Sequence, residues 1–384
     1  MHSYNGNGSG ARLARGFRAL FAVILAVGLG SMASPAEAAP FAYVANSNVP
    51  GTVSVVETTT NIVVATVALG SVPSGAAVTP DGKHAYVTNF NDGTVSVIDT
   101  GSNTVVATVS GLGGPSGVAV TPDGKHAYVT NAFSNTVSMI ATATNTVVAM
   151  VPVGSSPGGI AITPDGKLVY VTNGGSPGTV SAIATAINAV VATVPVGSFP
   201  GRVAVTPDGK HAYVTVGVSG SPGNVAVIAT ASNTVLATVP VGTSPFGVAV
   251  TPDGKHAYVT NGGSFFDPAT VSVIDTATNS VVAVPVPGVY SGVAITPDGK
   301  HVYVGNINDI VSVIATASNT VVATVPVGGG SPSVGIVPPP PGVPFLAFGA
   351  NLVIAFGGAP NQDSFALQTR FILSTAAPVI NPPY

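Results

Sequence analysis

Residues 79–89 read TPDGKHAYVTN, and this stretch recurs with small changes along most of the chain. Its first four residues favour a tight hairpin turn, because proline sets φ at the first corner and glycine accepts the left-handed conformation. The residues that follow are small, β-branched or aromatic, as is typical of a short strand. Copies of Thr-Pro-Asp-Gly begin at Thr79, Thr121, Thr163, Thr206, Thr251 and Thr296, at steps of 42, 42, 43, 45 and 45 residues.

Each copy of the repeat predicts four strands. In the first complete copy we place them at residues 76–78, 84–89, 94–98 and 104–109. No stretch carries the 3.6-residue apolar period of an amphipathic helix. Only 7% of residues are charged and 46% are hydrophobic, and the hydrophobic residues stand in short runs between turn residues. The sequence therefore predicts an all-β chain in which each repeat forms one four-stranded blade of a propeller.

The two ends of the repeat array determine the number of blades. Residues 43–67 supply a second, third and fourth strand with no first strand before them, and residues 331–337 match the lead-in to a first strand at 156–162. Six complete blades and one shared blade predict a seven-bladed β-propeller, closed by pairing the N-terminal strands with a C-terminal strand. Closure of this kind leaves no inter-blade face unpaired.

The first 38 residues have the order of a secretory signal peptide. Arg12, Arg15 and Arg18 precede the apolar segment 19–30, and the small residues Ala36 and Ala38 follow it. The twelve residues of segment 19–30 fall short of the ~20 that span a bilayer, which favours a signal over a membrane anchor. We expect a monomer outside the cytoplasm (periplasmic, secreted or at the cell surface) with no transmembrane span after signal removal.

The predicted order of segments is a signal peptide at 1–38, the propeller at 39–337, a Pro-rich linker at 338–344 and a β-hairpin-like extension at 345–384. A segment of about 40 residues without cysteine rarely folds alone. The extension is either a hairpin docked on the propeller or an incomplete second β-domain. An exposed hairpin would instead pair with the sheet edge of a partner.

The repeats resemble a known family. Residues 79–89, 121–131 and 251–261 are similar to the YVTN-type β-propeller repeat of bacterial and archaeal surface and periplasmic proteins. The copies that contain Tyr43, Tyr213 and Tyr303 depart from it and read YVAN, YVTV and YVGN. The resemblance implies an exported propeller, commonly of unknown or binding function, and it implies no shared catalytic set.

Loop length varies in one part of the repeat. From the tyrosine of the second strand to the first valine of the third strand, the step is 10, 9, 9, 10, 12, 13 and 8 residues along the chain. In an up-and-down blade, the loop between these strands lies on the same face as the connection to the next blade. We call this the variable face. Variable loops on a rigid scaffold are where binding usually resides.

Arg202 breaks the symmetry of the repeat, because the other complete copies have glycine at its position. It begins an innermost strand and is expected near the mouth of the central channel. Apolar aromatics on the loops, with one cation and one carboxylate, predict a recognition patch. Its candidate binding residues are Arg202, Phe246, Phe265, Phe266, Asp267 and Tyr290. The alternatives to a recognition patch are that Arg202 is a solvated surface arginine and that the loop aromatics fold inward.

No catalytic constellation emerges from the sequence. The repeated histidines are equivalent residues spread around the ring, too far apart to share a metal ion. Outside the signal and the repeated lysine, the only basic residues are Arg202 and Arg370, so nucleic-acid binding lacks its main driving force. We therefore expect no catalytic residue, no metal and no cofactor.

The leading expectation is a non-enzymatic scaffold that presents its variable face to a protein, peptide or glycan. The alternative is a periplasmic, lactonase-like hydrolase or lyase that uses a metal at the channel mouth, near Arg202 and Asp92, Asp267 or Asp309. A purely structural role in the cell envelope is a third interpretation.

Overall fold

The computed structural model describes residues 41–264, 268–288, 290–306, 309–328 and 333–336. They form 28 strands in seven four-stranded antiparallel sheets, so the predicted all-β, seven-bladed propeller is confirmed. The predicted signal peptide, linker and C-terminal extension lie outside the described residues. In the described part of the chain, no helix has the length and apolar character needed to cross a bilayer.

We number the blades along the chain and the strands of each blade from the centre outward. Blade 1 contains β4 (Pro73–Val78), β5 (His84–Asn89), β6 (Thr94–Asp99) and β7 (Thr104–Val109). Blade 2 contains β8 (Pro115–Val120), β9 (His126–Asn131), β10 (Thr136–Ala141) and β11 (Thr146–Pro152). Blade 3 contains β12 (Pro157–Ile162), β13 (Leu168–Asn173), β14 (Gly178–Ala184) and β15 (Ala189–Gly197).

The remaining blades follow the same order. Blade 4 contains β16 (Pro200–Val205), β17 (His211–Val216), β18 (Pro222–Ala229) and β19 (Thr234–Thr243). Blade 5 contains β20 (Pro245–Val250), β21 (His256–Asn261), β22 (Thr270–Asp275) and β23 (Val281–Pro285). Blade 6 contains β24 (Tyr290–Ile295), β25 (His301–Asn306), β26 (Ile310–Ala315) and β27 (Thr320–Pro326). Blade 7 contains β28 (Ser333–Ile336), β1 (Phe41–Asn46), β2 (Thr52–Glu57) and β3 (Ile62–Ala68).

Blade 7 is the shared blade, and its innermost strand comes from the C-terminal side of the array. Strand β28 pairs antiparallel with β1, with Val334 opposite Val44 and Gly335 opposite Tyr43. When residues 331–337 are aligned with 156–162 in sequence, Gly335 stands at the position of Ile160. In the structure, Ile160 pairs with Val171, and the residue of blade 7 equivalent to Val171 is Val44. Val334 therefore takes the place of Ile160. The offset arises because β12 has an irregular register between Pro157 and Ile160, and the pairing of β28 has no such irregularity.

The hydrophobic core is divided among the interfaces between neighbouring blades. Each of the seven core clusters combines buried side chains from two adjacent blades. In blade 1, for example, Tyr86 packs toward blade 2 with Val118 and Val129, whereas Val87 packs toward blade 7 with Tyr43. Second strands are thus covered on both faces, which explains why burial in β5 continues without alternation from Ala85 to Asn89, including its polar residues.

In six of the seven blades, the tyrosine of the second strand also joins its blade to the next. Its hydroxyl donates a hydrogen bond to an asparagine Oδ1 in the turn between the third and fourth strands of the following blade. These pairs are Tyr43–Asn103, Tyr86–Asn145, Tyr128–Asn188, Tyr170–Asn233, Tyr258–Asn319 and Tyr303–Asn61. The asparagines have φ between 48° and 58°, a left-handed conformation that asparagine tolerates better than most residues. One side chain therefore serves both the turn and the interface.

Candidate functional site

The two faces of the propeller are built from different loops. On the variable face, the loop between second and third strands contacts the connection that enters the blade. In blade 1 the backbone N–H of Phe90 donates to the carbonyl of Val72, and the N–H of Ser71 donates to Oδ2 of Asp92, at 2.8 Å. Loops of different length therefore meet beside the starts of the innermost strands, as the sequence predicted.

The opposite face repeats one self-contained turn. In its first copy, Asp81 Oδ1 accepts hydrogen bonds from Thr79 Oγ1 at 2.6 Å and from the Lys83 backbone N–H at 3.0 Å. Burial acts to raise the pKa of Asp81, but these hydrogen bonds outweigh it and hold the pKa below its ordinary value. Lys83 Nζ lies 3.9 Å from the same carboxylate, and exposed pairs of this kind stabilise a fold little. The threonine, aspartate and lysine of this turn are thus bonded to one another.

Around the central channel, a buried threonine on the second strand joins two blades. In blade 1, Thr88 Oγ1 accepts the N–H of Gly75 at 2.7 Å and donates to the carbonyl of Ser116 in blade 2 at 2.8 Å. The innermost strands approach so closely that an ideal Cβ on Gly75 would lie 2.5 Å from that carbonyl oxygen. Glycine at position 75 is therefore required by the close packing of the innermost strands of blades 1 and 2.

Arg202 occupies this glycine position in blade 4. Its backbone N–H donates to Thr215 Oγ1 at 2.9 Å, and Thr215 Oγ1 donates to the carbonyl of Phe246 in blade 5 at 2.7 Å. The backbone thus keeps the bonding of the other copies. Strand β16 begins at Pro200, so Arg202 is its third residue and not its first as expected. The strand starts earlier because Pro200 already pairs with Val216.

A cavity of about 300 Å³ opens at the channel beside Arg202. Its walls come from the innermost strands of blades 1, 3, 4, 5 and 6 and from Ser47 of blade 7. Ile160, Val248 and Val293 make part of the wall apolar. Ser47 Oγ already donates to the carbonyl of Pro73, at 2.6 Å. The guanidinium of Arg202 is the charged group that faces this cavity among the described residues.

The Arg202 side chain lies between two neighbouring blades. Its Cζ is 4.8 Å from the ring centroid of Phe246 in blade 5. An ideal Cβ on Gly158 in blade 3 would lie 3.5 Å from its Nη1. Desolvation lowers the pKa of Arg202 to about 10, which leaves the guanidinium charged at neutral pH. Within the described residues it has no carboxylate partner and shows only the cation–π contact with Phe246.

The structure brings together only part of the predicted patch. Arg202 and Phe246 are in contact, whereas Phe265, Phe266 and Asp267 lie outside the described residues. Tyr290 begins β24 opposite Asn306, and its side chain is outside the description.

Of the three carboxylates in the metal hypothesis, the two that the structure describes do not line the cavity. Asp92 and Asp309 are exposed and are absent from the cavity wall. Asp92 instead accepts the N–H of Ser71. Among the described residues, no three His, Cys, Asp or Glu side chains group closely enough to hold a metal ion.

Sequence reasoning missed an aromatic pair on the variable face. The rings of Phe90 in blade 1 and Phe133 in blade 2 meet edge to face, with centroids 5.0 Å apart. Phe133 is 72% exposed, Phe199 50% and Phe246 38%. Their positions in the sequence could have indicated this pair. Phe90 is the first residue after the second strand of blade 1, and Phe133 is the second residue after the second strand of blade 2. Exposed aromatics therefore occur on this face from blade 2 to blade 5, and the half-buried Phe90 lies beside them in blade 1.

The chain is similar to several solved structures. Hydrazine synthase of Kuenenia stuttgartiensis is 26% identical, with a TM-score of 0.65 over 69% of this chain and 90% of that chain. A functionally unknown protein of Desulfotomaculum acetoxidans is 21% identical, with a TM-score of 0.66 over 78% and 99% of the two chains. A candidate 6-phosphogluconolactonase of Bacteroides uniformis is 18% identical, with a TM-score of 0.64 over 78% and 100%. The last two likenesses show the fold alone.

No curated protein matches the chain significantly. A family profile described as YNCE-like beta-propeller matches residues 15–337. The YVTN-type resemblance correctly implied a propeller, and the count of repeats correctly predicted seven blades. The matching family is the YNCE-like one and not the YVTN repeat family. With most of its length covered by that profile and with seven closed four-stranded blades, the chain belongs to the YNCE-like β-propeller family.

Proposed function

We propose that this chain is an exported, non-enzymatic binding protein that presents its variable face to a protein, peptide or glycan. The contact surface is the channel mouth at Arg202 and Phe246, together with the exposed rings of Phe133 and Phe199. The observation that carries the proposal is this combination of exposed aromatic surface and an unneutralised cation on the face with the variable loops. Exposed apolar surface of this kind is typical of interaction sites.

Three further features support this interpretation. On the opposite face the turn aspartates and lysines are paired with each other, so a ligand there would meet nearly the same groups in neighbouring blades. The cavity is at the small end of ligand pockets, which suits an anchoring side chain or a single sugar. Export is proposed from the positively charged, apolar and small-residue order of segment 1–38.

Peptide and glycan arrays probed with the labelled, purified chain test the binding function. Phe133→Ala and Arg202→Gly should each weaken array binding about tenfold or more, because both remove contact surface or charge. Ile187→Ala is the matched control, since Ile187 is 67% exposed but lies in a turn of the opposite face. Binding that is equal in all variants would overturn the proposed surface. A stoichiometric metal ion in elemental analysis, with turnover of a lactone, would favour the hydrolase.

The cellular location is tested separately. Cell fractionation should place the chain outside the cytoplasm, and its intact mass should correspond to cleavage near Ala38. A cytoplasmic, uncleaved product would contradict export and would leave the binding surface to be judged by the arrays.

A further inference from the structure

The charge state of the channel mouth indicates the chemistry of its ligand. Arg202 presents N–H donors in a planar fork, and a guanidinium can donate up to five hydrogen bonds. None of these donors has a hydrogen-bond acceptor among the described residues, although the backbone N–H of the same residue is satisfied. A cation that has lost part of its hydration and has gained no anion is a costly arrangement in a folded protein.

The surroundings of the guanidinium leave its hydrogen-bonding edge available. Phe246 lies against it at 4.8 Å from ring centroid to Cζ, and an aromatic ring satisfies the charge of a guanidinium but none of its N–H donors. The nearby hydroxyls do not compete for the donors. Ser47 Oγ bonds to Pro73, and Ser74 Oγ bonds to Thr88 and to Ser116.

The position is also specific to one blade. Gly75, Gly117 and Gly159 hold the equivalent place in blades 1 to 3, where an added Cβ would meet the neighbouring innermost strand at 2.5 to 2.7 Å. Phe246 likewise replaces the serine found at Ser74 and Ser116. Blades 3 and 4 have the small residues Gly158 and Gly201 at this second position. A large side chain at each of the two positions thus occurs only in adjacent blades 4 and 5 among the six complete copies, and these two side chains touch.

We propose that Arg202 binds a single carboxylate group of the ligand, held in the channel mouth with its apolar neighbour atoms against Phe246. This inference rests on the proposed binding function and names the chemistry of the anchoring group. A carboxylate matches the two-pronged geometry of one guanidinium. A phosphate dianion commonly recruits several cations, and the cavity wall contains Arg202 as its one cation among the described residues.

The side-chain Nε–H resonances of the full chain provide a direct test. The sequence has five arginines, at positions 12, 15, 18, 202 and 370, so the ¹⁵N spectrum of this group is simple and Arg202→Gly identifies the Arg202 signal by its loss. N-acetylglycine serves as the carboxylate probe, and N-acetylglycinamide as its neutral match, both at constant ionic strength. Inorganic phosphate is the third probe.

The Arg202 signal should shift saturably with N-acetylglycine and hardly at all with the amide. Phe246→Ser should weaken the carboxylate affinity about threefold or more, while Met150→Thr, which restores the repeat at a distant exposed site, should leave it unchanged. No saturable shift, an equal shift with the amide, or tighter binding of phosphate would overturn the carboxylate assignment. Array binding that survives Arg202→Gly but is lost in Phe133→Ala would overturn the anchor and keep the binding face.

Discussion

Tyr303 of blade 6 donates its hydroxyl hydrogen bond to the side chain of Asn61 in blade 7, and so joins two residues 242 positions apart in the chain. The hydroxyl also donates to the carbonyl of Thr58, at 3.2 Å. Blade 7 is assembled from both ends of the described chain. The same tyrosine–asparagine bond that fastens consecutive blades elsewhere therefore also closes the ring.

Removing this closing bond should destabilise the propeller. We expect Tyr303→Phe to lower the free energy of unfolding by about 1 kcal/mol, because it deletes a buried hydrogen bond and leaves the Asn61 acceptor without it. Urea unfolding followed by circular dichroism measures the change.

Tyr213→Phe is the matched control for this prediction. Tyr213 is equally buried but makes no such bond to Asn279 in blade 5. The reason is local: β22 and β23 pair without the register shift seen in other blades, in line with a repeat that is one residue shorter at this point. Equal losses of unfolding free energy in the two variants would show that the hydrogen bond between Tyr303 and Asn61 does not cause the destabilisation.

Substitution of a channel glycine and substitution of Arg202 at the equivalent position should have different effects on stability. Gly117→Ala should lower stability by about 1–3 kcal/mol, since its Cβ would meet the carbonyl oxygen of Gly158 at 2.5 Å. Arg202→Gly restores the residue of the other blades and should leave the melting temperature unchanged or higher. Differential scanning calorimetry compares the two. A stable Gly117→Ala variant would contradict the packing requirement.

Strand β28 should be indispensable for the closed ring. Deleting residues 331–337 removes the partner of β1 and uncovers Val44, which is fully buried. We expect the melting temperature to fall by about 10 °C or more, in line with a loss of several kcal/mol. Val322→Ala, at a half-exposed rim site, serves as the reference variant. An unchanged melting temperature in the deletion would argue strongly against this closure.

The buried tyrosines should make the propeller sensitive to alkali. Burial raises the pKa of Tyr86, Tyr170 and Tyr258 from 10.0 to about 12, and it raises the pKa of Tyr303 further. Above pH 10 the unfolded chain releases these protons and the folded chain keeps them, so stability falls as the pH rises toward 12. Below pH 10 both states are protonated, and the tyrosines cause no pH dependence.

Absorbance of tyrosinate, recorded together with circular dichroism, measures this effect. The two signals should change in one cooperative transition between pH 10 and 12. Seven of the ten tyrosines are buried second-strand residues. Ionisation of most of the ten near pH 10 with the sheet signal intact would contradict the burial of these hydroxyls.

Much of the fold was predictable because it depends on neighbours in sequence. The turn at residues 79–84 formed as expected, with the Gly82 N–H bonded to the Thr79 carbonyl at 2.8 Å and Gly82 at a φ of 71°. The second strand ends where predicted, at Asn89. The first strand begins at Pro73 and not at 76, because its early residues bond across a register irregularity that local propensity does not reveal.

The candidate site was predictable only in part. The break in repeat symmetry at Arg202 was visible in the sequence, as was its place near the channel. Its contact with Phe246, 44 positions away, and the exposure of Phe133 were not, since they depend on how neighbouring blades are set against each other.

The sequence by itself determined the blade, the number of blades and the face on which loops vary, because hairpin turns, strand alternation and repeat length are properties of adjacent residues. Only the tertiary structure decided which side chains meet. Tyr86 and Tyr128 each bond an asparagine about sixty residues along the chain, and Arg202 lies against a ring of the following blade. Such contacts arise once the ring has closed, when strands distant in sequence come within hydrogen-bonding and van der Waals range.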